Sequence, residues 1–140
     1  MTLLTGIVDT FPEKVVLFLK KLTFFLLFYV ELRRRWNNLY GEGDDPIVIN
    51  SGFRSPAVNK AVGGVPTSNH LTGCAVDIRC VGMEQALRYA AILLDISDLN
   101  KEDFDELLVE QKAHVVWIHF AVKPTGNRRR INFLPKLFGS

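Results

Sequence analysis

The chain has 140 residues, 48% of them hydrophobic and 23% charged, with a formal net charge of +2. That length and composition suit a single globular domain with its own core and exclude a disordered or collagen-like chain. So small a net charge does not point to nucleic acid, which is not expected as a partner; the basic runs at 33–35 and 128–130 read first as solvated faces.

The segment "DTFPEK" starts a helix: Asp9 or Thr10 caps it, Pro12 suits its first turn and Glu13 favours the positive end of the helix dipole. The helix is expected to run to about Tyr40, where "GEGDDP" stops it. Inside it, Leu22 to Val30 is uncharged and mostly apolar, but nine residues are too few for a bilayer, which takes about 20. A core helix is the expected reading, with a membrane-surface, signal-like or self-associating helix as alternatives. No Lys or Arg occurs in residues 1–10 and "VELRRRW" is no small-residue cleavage site, so a secretory signal is not expected.

"IVIN" (47–50) reads as a strand. "RSPAVNKAVGG" reads as a short helix with Ala57, Val58, Ala61 and Val62 at helical spacing, followed by the loop "VPTSNHLTG". "AVDIRCV" (75–81) is a second strand. "GMEQALRYAAILLDISD" (82–98) is a helix whose apolar side is Met83, Ala86, Leu87, Tyr89, Ala90 and Leu93. "DELLVEQ" and "VVWIHFAV" flank "KAH" as a β-hairpin, and "PTGNRRRINF" reads as a turn leading into a basic tail. The order predicts one α+β domain over 1–140, a small antiparallel sheet with flanking helices, made of a helical lead-in (about 10–40) and a core (about 46–133). Cys74 and Cys80 lie on one extended segment roughly 20 Å apart, beyond disulfide reach, which suggests a reducing compartment.

The chemistry concentrates in few residues. The chain has three histidines, His70, His114 and His119. His70 precedes Asp77 by seven positions, and His119 stands between Ile118 and Phe120, where an unpartnered imidazole would be costly to bury. Two imidazoles and a carboxylate make a three-ligand zinc set with a fourth position left for water. A buried strand with satisfied polar residues is the competing reading, and spacing does not separate the two.

"SGFRSPAVNKAVGGVPTSNHLTGCAVDI", followed by "WIHFAV", resembles the M15 family of zinc peptidases, the D-alanyl-D-alanine carboxypeptidase-like and phage-lysin enzymes that cut peptidoglycan stem peptides. The family pattern S-x-H-x-x-G-x-A-x-D is met by Ser68, His70, Gly73, Ala75 and Asp77, and its later W-x-H by Trp117, Ile118 and His119. The resemblance covers roughly Gly6 to Phe133. It implies a hedgehog-like or D-Ala-D-Ala-peptidase-like fold and one Zn2+ held by His70, Asp77 and His119. Arg54 would bind a substrate carboxylate and Ser68 would donate a hydrogen bond to substrate.

Many relatives carry an acid three residues before the last histidine, where this chain has Val116. "VEQKAHVVWIHFAV" is also similar to a hairpin of the hedgehog signalling domain, in which a glutamate followed by "KAH" lies beside the metal. By that likeness Glu110 is the expected general base and His114 the group that stabilises the oxyanion. Asp105 and Glu106 are weaker candidates for the base, since "FDELL" resembles a family segment that serves mainly to frame the site; Trp117 and Phe120 are expected to fill core.

The resemblance thus implies a monomeric peptidase acting on peptidoglycan peptide, made in a bacterial cytoplasm without a signal peptide and acting at the cell wall in the manner of a phage lysin, its basic tail favouring the anionic wall. Membrane contact is not favoured. The rival expectations are a non-catalytic zinc-containing module of the same fold and a membrane-associated wall factor held by the apolar helix at 15–32.

Overall fold

The computed structural model describes residues 12–51 and 75–136. The short helix expected at 54–64, the loop after it, and Arg54, Ser68, His70 and Cys74 lie outside the described residues.

Helix α1 (Glu13–Leu39) begins after Pro12, and its backbone ends with Tyr40 and Gly41 both donating to the carbonyl of Trp36. It buries Phe28, Leu32 and Trp36, spaced by four so that they form one stripe. The chain reverses immediately afterwards because the Asn37 side chain binds the backbone of Asp45 at both its amide and its carbonyl. Gly41 is required there: a Cβ would stand 2.5 Å from Asn37 Oδ1. Strands β1 (Ile49–Ser51) and β2 (Ala75–Cys80) follow, then helix α2 (Gly82–Asn100), strands β3 (Glu106–Lys112) and β4 (Val115–Ala121), and strand β5 (Arg130–Lys136). Strand β1 starts two residues later than the pattern of "IVIN" predicts.

The five strands form one sheet in the order β1-β2-β4-β3-β5. Its pairings are antiparallel except β3 with β5, which is parallel. The expected basic tail is therefore a correction: residues 130–136 form an edge strand. Its signal is weak because it carries charge and Pro135, and proline is tolerated only at such an edge. The three arginines that introduce it are tethered. Arg128 forks onto Asp105 at 2.8 and 2.9 Å, Arg129 reaches Asp98 and Asp103, and Arg130 reaches Glu106. The run at 33–35 is paired as well, with Asp44, Glu31 and Asp95.

Both helices cover one face of the sheet. Strand alternation sends Ile78, Cys80, Leu107, Val109, Val116, Ile118 and Phe120 to that face, against Phe28 and Leu32 of α1 and Tyr89, Leu93 and Ile96 of α2. Phe120 sits at the centre, edge-on to Phe28 with ring centroids 4.8 Å apart and 5.7 Å from Phe104; burying such a ring is worth about 2–3 kcal/mol. On α2 the predicted apolar side holds except at Leu87, which is 51% exposed, while Ile92 and Ile96 take the buried positions. On α1 the apolar run is divided: Phe28 is buried, while Leu22, Leu26 and Val30 are exposed. Among the described residues no helix is long and apolar enough to cross a membrane.

Cys80 is buried, and burial pushes its thiol up to about 12. At about pH 8 its thiolate fraction is then on the order of 10⁻⁴. Iodoacetamide is expected to leave Cys80 unmodified in the folded protein and to label it fully in denaturant, read by peptide mapping. Labelling of the native protein would contradict this packing.

Candidate metal centre

The sheet face turned away from the helices carries the polar residues, and strand register decides which of them meet. Asp77 of β2 pairs with His119 of β4, and His119 pairs with Leu108 of β3. Residues directly opposite share a face, so Asp77 and His119 point the same way. Two positions either side of Leu108 on β3, on that same face, stand Glu106 and Glu110, both diagonal neighbours of His119. His119 thus occupies the middle of a ring of three carboxylates.

The distances follow. His119 Nδ1 lies 3.3 Å from Asp77 Oδ1, and its Nε2 lies 3.1 Å from Glu106 Oε1. One ligand atom from each of Asp77, Glu110 and His119 falls within 4.8 Å of the others. Glu110 Oε2 accepts a 2.6 Å hydrogen bond from Trp117 Nε1, its register partner on β4. Trp117 therefore does not fill core; it lies half-buried on the polar face and orients Glu110. Phe120, on the other parity of the strand, is core as predicted.

The electrostatics are those of crowded acids around one base. Burial is the main cause that raises the pKa of Glu110, and the charges of Asp77 and Glu106 add to it against the opposing pull of His119 and the Trp117 hydrogen bond. Burial alone would lower the pKa of His119; the hydrogen bond and charge of Asp77, with Glu106 behind them, outweigh it and raise it. Such a set fits a divalent cation: imidazole nitrogen and carboxylate oxygens are donors zinc accepts, and a cation among them relieves the repulsion of neighbouring carboxylates.

Of the residues predicted from sequence, the structure brings Asp77, His119 and Glu110 together. His114 is not in this cluster: it is exposed, in the β3–β4 turn, five residues before His119 and outside strand β4. Val116, three residues before His119, faces the core and is 5% exposed. An acid at Val116 would point away from the site in this regular strand, and Glu110, across the sheet, occupies the site face instead. Glu106, expected mainly to frame the site, lies against His119 itself, and Asp105 is fully buried beneath the Arg128 fork. The apolar cleft of about 210 Å³ between α1 and the sheet, lined by Leu22, Phe25, Val76 and Phe120 among others, is on the helix-covered face and contains none of these groups.

An imidazole flanked by carboxylates on one sheet face, with a hydrogen-bonded, half-buried glutamate beside it, is a donor set of the kind a metallopeptidase needs. The chain belongs to the Peptidase M15 family, whose sequence model matches residues 22–119. It is also similar to the zinc D-Ala-D-Ala carboxypeptidase of Streptomyces albus G, 50% identical over 36 residues, or 26% of this chain. That match spans 14% of the relative's length.

Proposed function

We propose that this chain is a zinc-dependent peptidase that hydrolyses peptide bonds of bacterial cell-wall peptidoglycan, as a D-alanyl-D-alanine carboxypeptidase or a lysin-like endopeptidase acting at the wall. Membership of the M15 family and the partial likeness to a zinc D-Ala-D-Ala carboxypeptidase support it. The observation that carries it is the convergence of Asp77, His119 and a half-buried, hydrogen-bonded Glu110 on one sheet face.

In this reading His70, Asp77 and His119 hold one Zn2+. When bound, the ion supplies Lewis acidity that polarises the scissile carbonyl and makes water a stronger acid. Glu110 is the base. Its Oε2 is held by Trp117, and its Oε1, without a hydrogen-bond partner among the described residues, takes a proton from the attacking water. A carboxylate so placed can accept that proton and return it to the leaving amine as the C–N bond breaks. Arg54 pairs with a substrate carboxylate and Ser68 donates a hydrogen bond to the peptide. The oxyanion role implied for His114 is not carried forward, given its place at the hairpin tip.

Mass spectrometry of purified muropeptides after digestion by the zinc-loaded protein tests this. Loss of a terminal alanine identifies a carboxypeptidase, and halved cross-linked species an endopeptidase. His70→Ala and His119→Ala are expected to lose stoichiometric zinc in elemental analysis. A protein that holds one zinc and leaves every muropeptide intact would be a non-catalytic module, and the peptidase reading would fall.

A further inference from the structure

We infer that Glu106 is a positioning residue for the metal centre: it accepts the Nε2–H of His119 and so presents Nδ1 as the metal-binding nitrogen. The inference rests on the zinc reading above and adds to it a residue, a tautomer and a strand.

A neutral imidazole has one donor and one acceptor nitrogen. Glu106 Oε1 stands 3.1 Å from Nε2, and Asp77 Oδ1 stands 3.3 Å from Nδ1. Glu110 converges with Asp77 and His119. With the proton on Nε2, the Glu106 contact is a donor–acceptor pair, and the Nδ1 lone pair faces the carboxylate of Asp77, the residue with which Glu110 converges. Three acceptors meeting in one place are compatible with a cation between them. The opposite tautomer would donate to Asp77 instead and set the Nε2 lone pair against Glu106, the carboxylate that Arg130 holds in place on the side away from Asp77 and Glu110.

Glu106 is itself held. It is 7% exposed, and its Oε2 accepts from Arg130 Nη1 at 3.0 Å, with Arg128 Nη2 at 3.8 Å. Arg130 is its register partner on β5. One oxygen engaged by a guanidinium and the other by an imidazole leave the carboxylate little freedom to rotate. The edge strand thereby reaches the metal centre through a chain of two hydrogen bonds, Arg130 to Glu106 to His119. A carboxylate behind a ligating histidine fixes ring orientation and raises ligand basicity, and losing one weakens metal binding by roughly 10–100-fold.

The decisive measurement is long-range proton–nitrogen NMR of the histidine rings in the zinc-loaded protein, assigned with the aid of His114→Gln. The expected result is a His119 ring protonated at Nε2 and metal-bound at Nδ1; metal on Nε2 overturns the inference while leaving the zinc reading intact. A wild-type protein that binds no zinc takes down both. In chelator competition, Glu106→Ala is expected to weaken zinc by about 10–100-fold, whereas Glu106→Gln, whose amide oxygen still accepts, stays within about threefold of wild type. Unchanged zinc affinity in a folded Glu106→Ala protein also overturns it. Should that variant fail to fold, the ring tautomers of the wild type and of Glu106→Gln decide the matter.

Discussion

Glu110→Gln is expected to lower kcat/KM for peptide hydrolysis by about 10²–10⁴ while stoichiometric zinc is retained. The substitution keeps the shape of the side chain, and the amide oxygen can still accept from Trp117 Nε1. What it removes is the ability to take and return a proton. Unchanged turnover would refute Glu110 as the base, and loss of zinc would show that it is a ligand. The same variant has a second, independent signature in the zinc-free protein. Because burial raises the pKa of Glu110 above its unfolded value, the folded state binds the proton more tightly than the unfolded one. Stability is then highest with Glu110 protonated and falls as pH rises through the folded-state pKa. Glutamine carries no such penalty. Metal-free Glu110→Gln is expected to melt above wild type at neutral pH, and the difference is expected to vanish at acid pH, below the unfolded carboxylate value. Melting curves against pH check this; a variant less stable than wild type at neutral pH would contradict it.

Asp105→Ala is expected to destabilise the fold by about 3 kcal/mol, lowering Tm on the order of 10 °C. Asp105 has no exposed surface, and it accepts from the backbone and both sides of the Arg128 fork, with Lys123 Nζ at 3.5 Å. The figure is at the low end for breaking a buried pair because the Arg128 side chain is 54% exposed and can recover water. The loss should be local first: β5 enters the sheet directly after Arg128, and its amides should exchange faster with deuterium than those of β4. Arg34→Ala is the control. Its pairing with Glu31 is a surface pair on α1, expected to contribute less than about 1 kcal/mol. Equal effects of the two variants would remove the clamp assigned to Asp105.

The residues of the candidate metal centre stand out in the sequence, but their partners do not. His119 announced itself as a polar residue in an apolar run, and Asp77 by its place at a strand start after a glycine-containing loop. Trp117 departs from the expectation of core because aromatic character favours burial without saying on which face. Glu106 was undervalued because nothing in "FDELL" tells which strand will lie beside it.

The hairpin shows where that information resides. Reading "KAH" as a three-residue connection would pair Gln111 with Val115 and set His119 opposite Leu107. The structure pairs Lys112 with Val115 around Ala113 and His114, with Ala113 at φ 54°, and sets His119 opposite Leu108. A slip of one residue sends every side chain of a strand to the other face. Only in the observed register do Glu106 and Glu110 flank His119, and only then do Leu107 and Val109 meet the helices.

Local periodicity and turn chemistry determined the two described helices, the first four strands and the residue types able to bind a metal, because those depend on neighbours a few positions away. Tertiary structure decided the register of β3 on β4, the parallel docking of β5 through Arg128 to Arg130, and hence which carboxylates surround His119. These rest on contacts between residues distant in the chain, whose energies no short window of sequence contains.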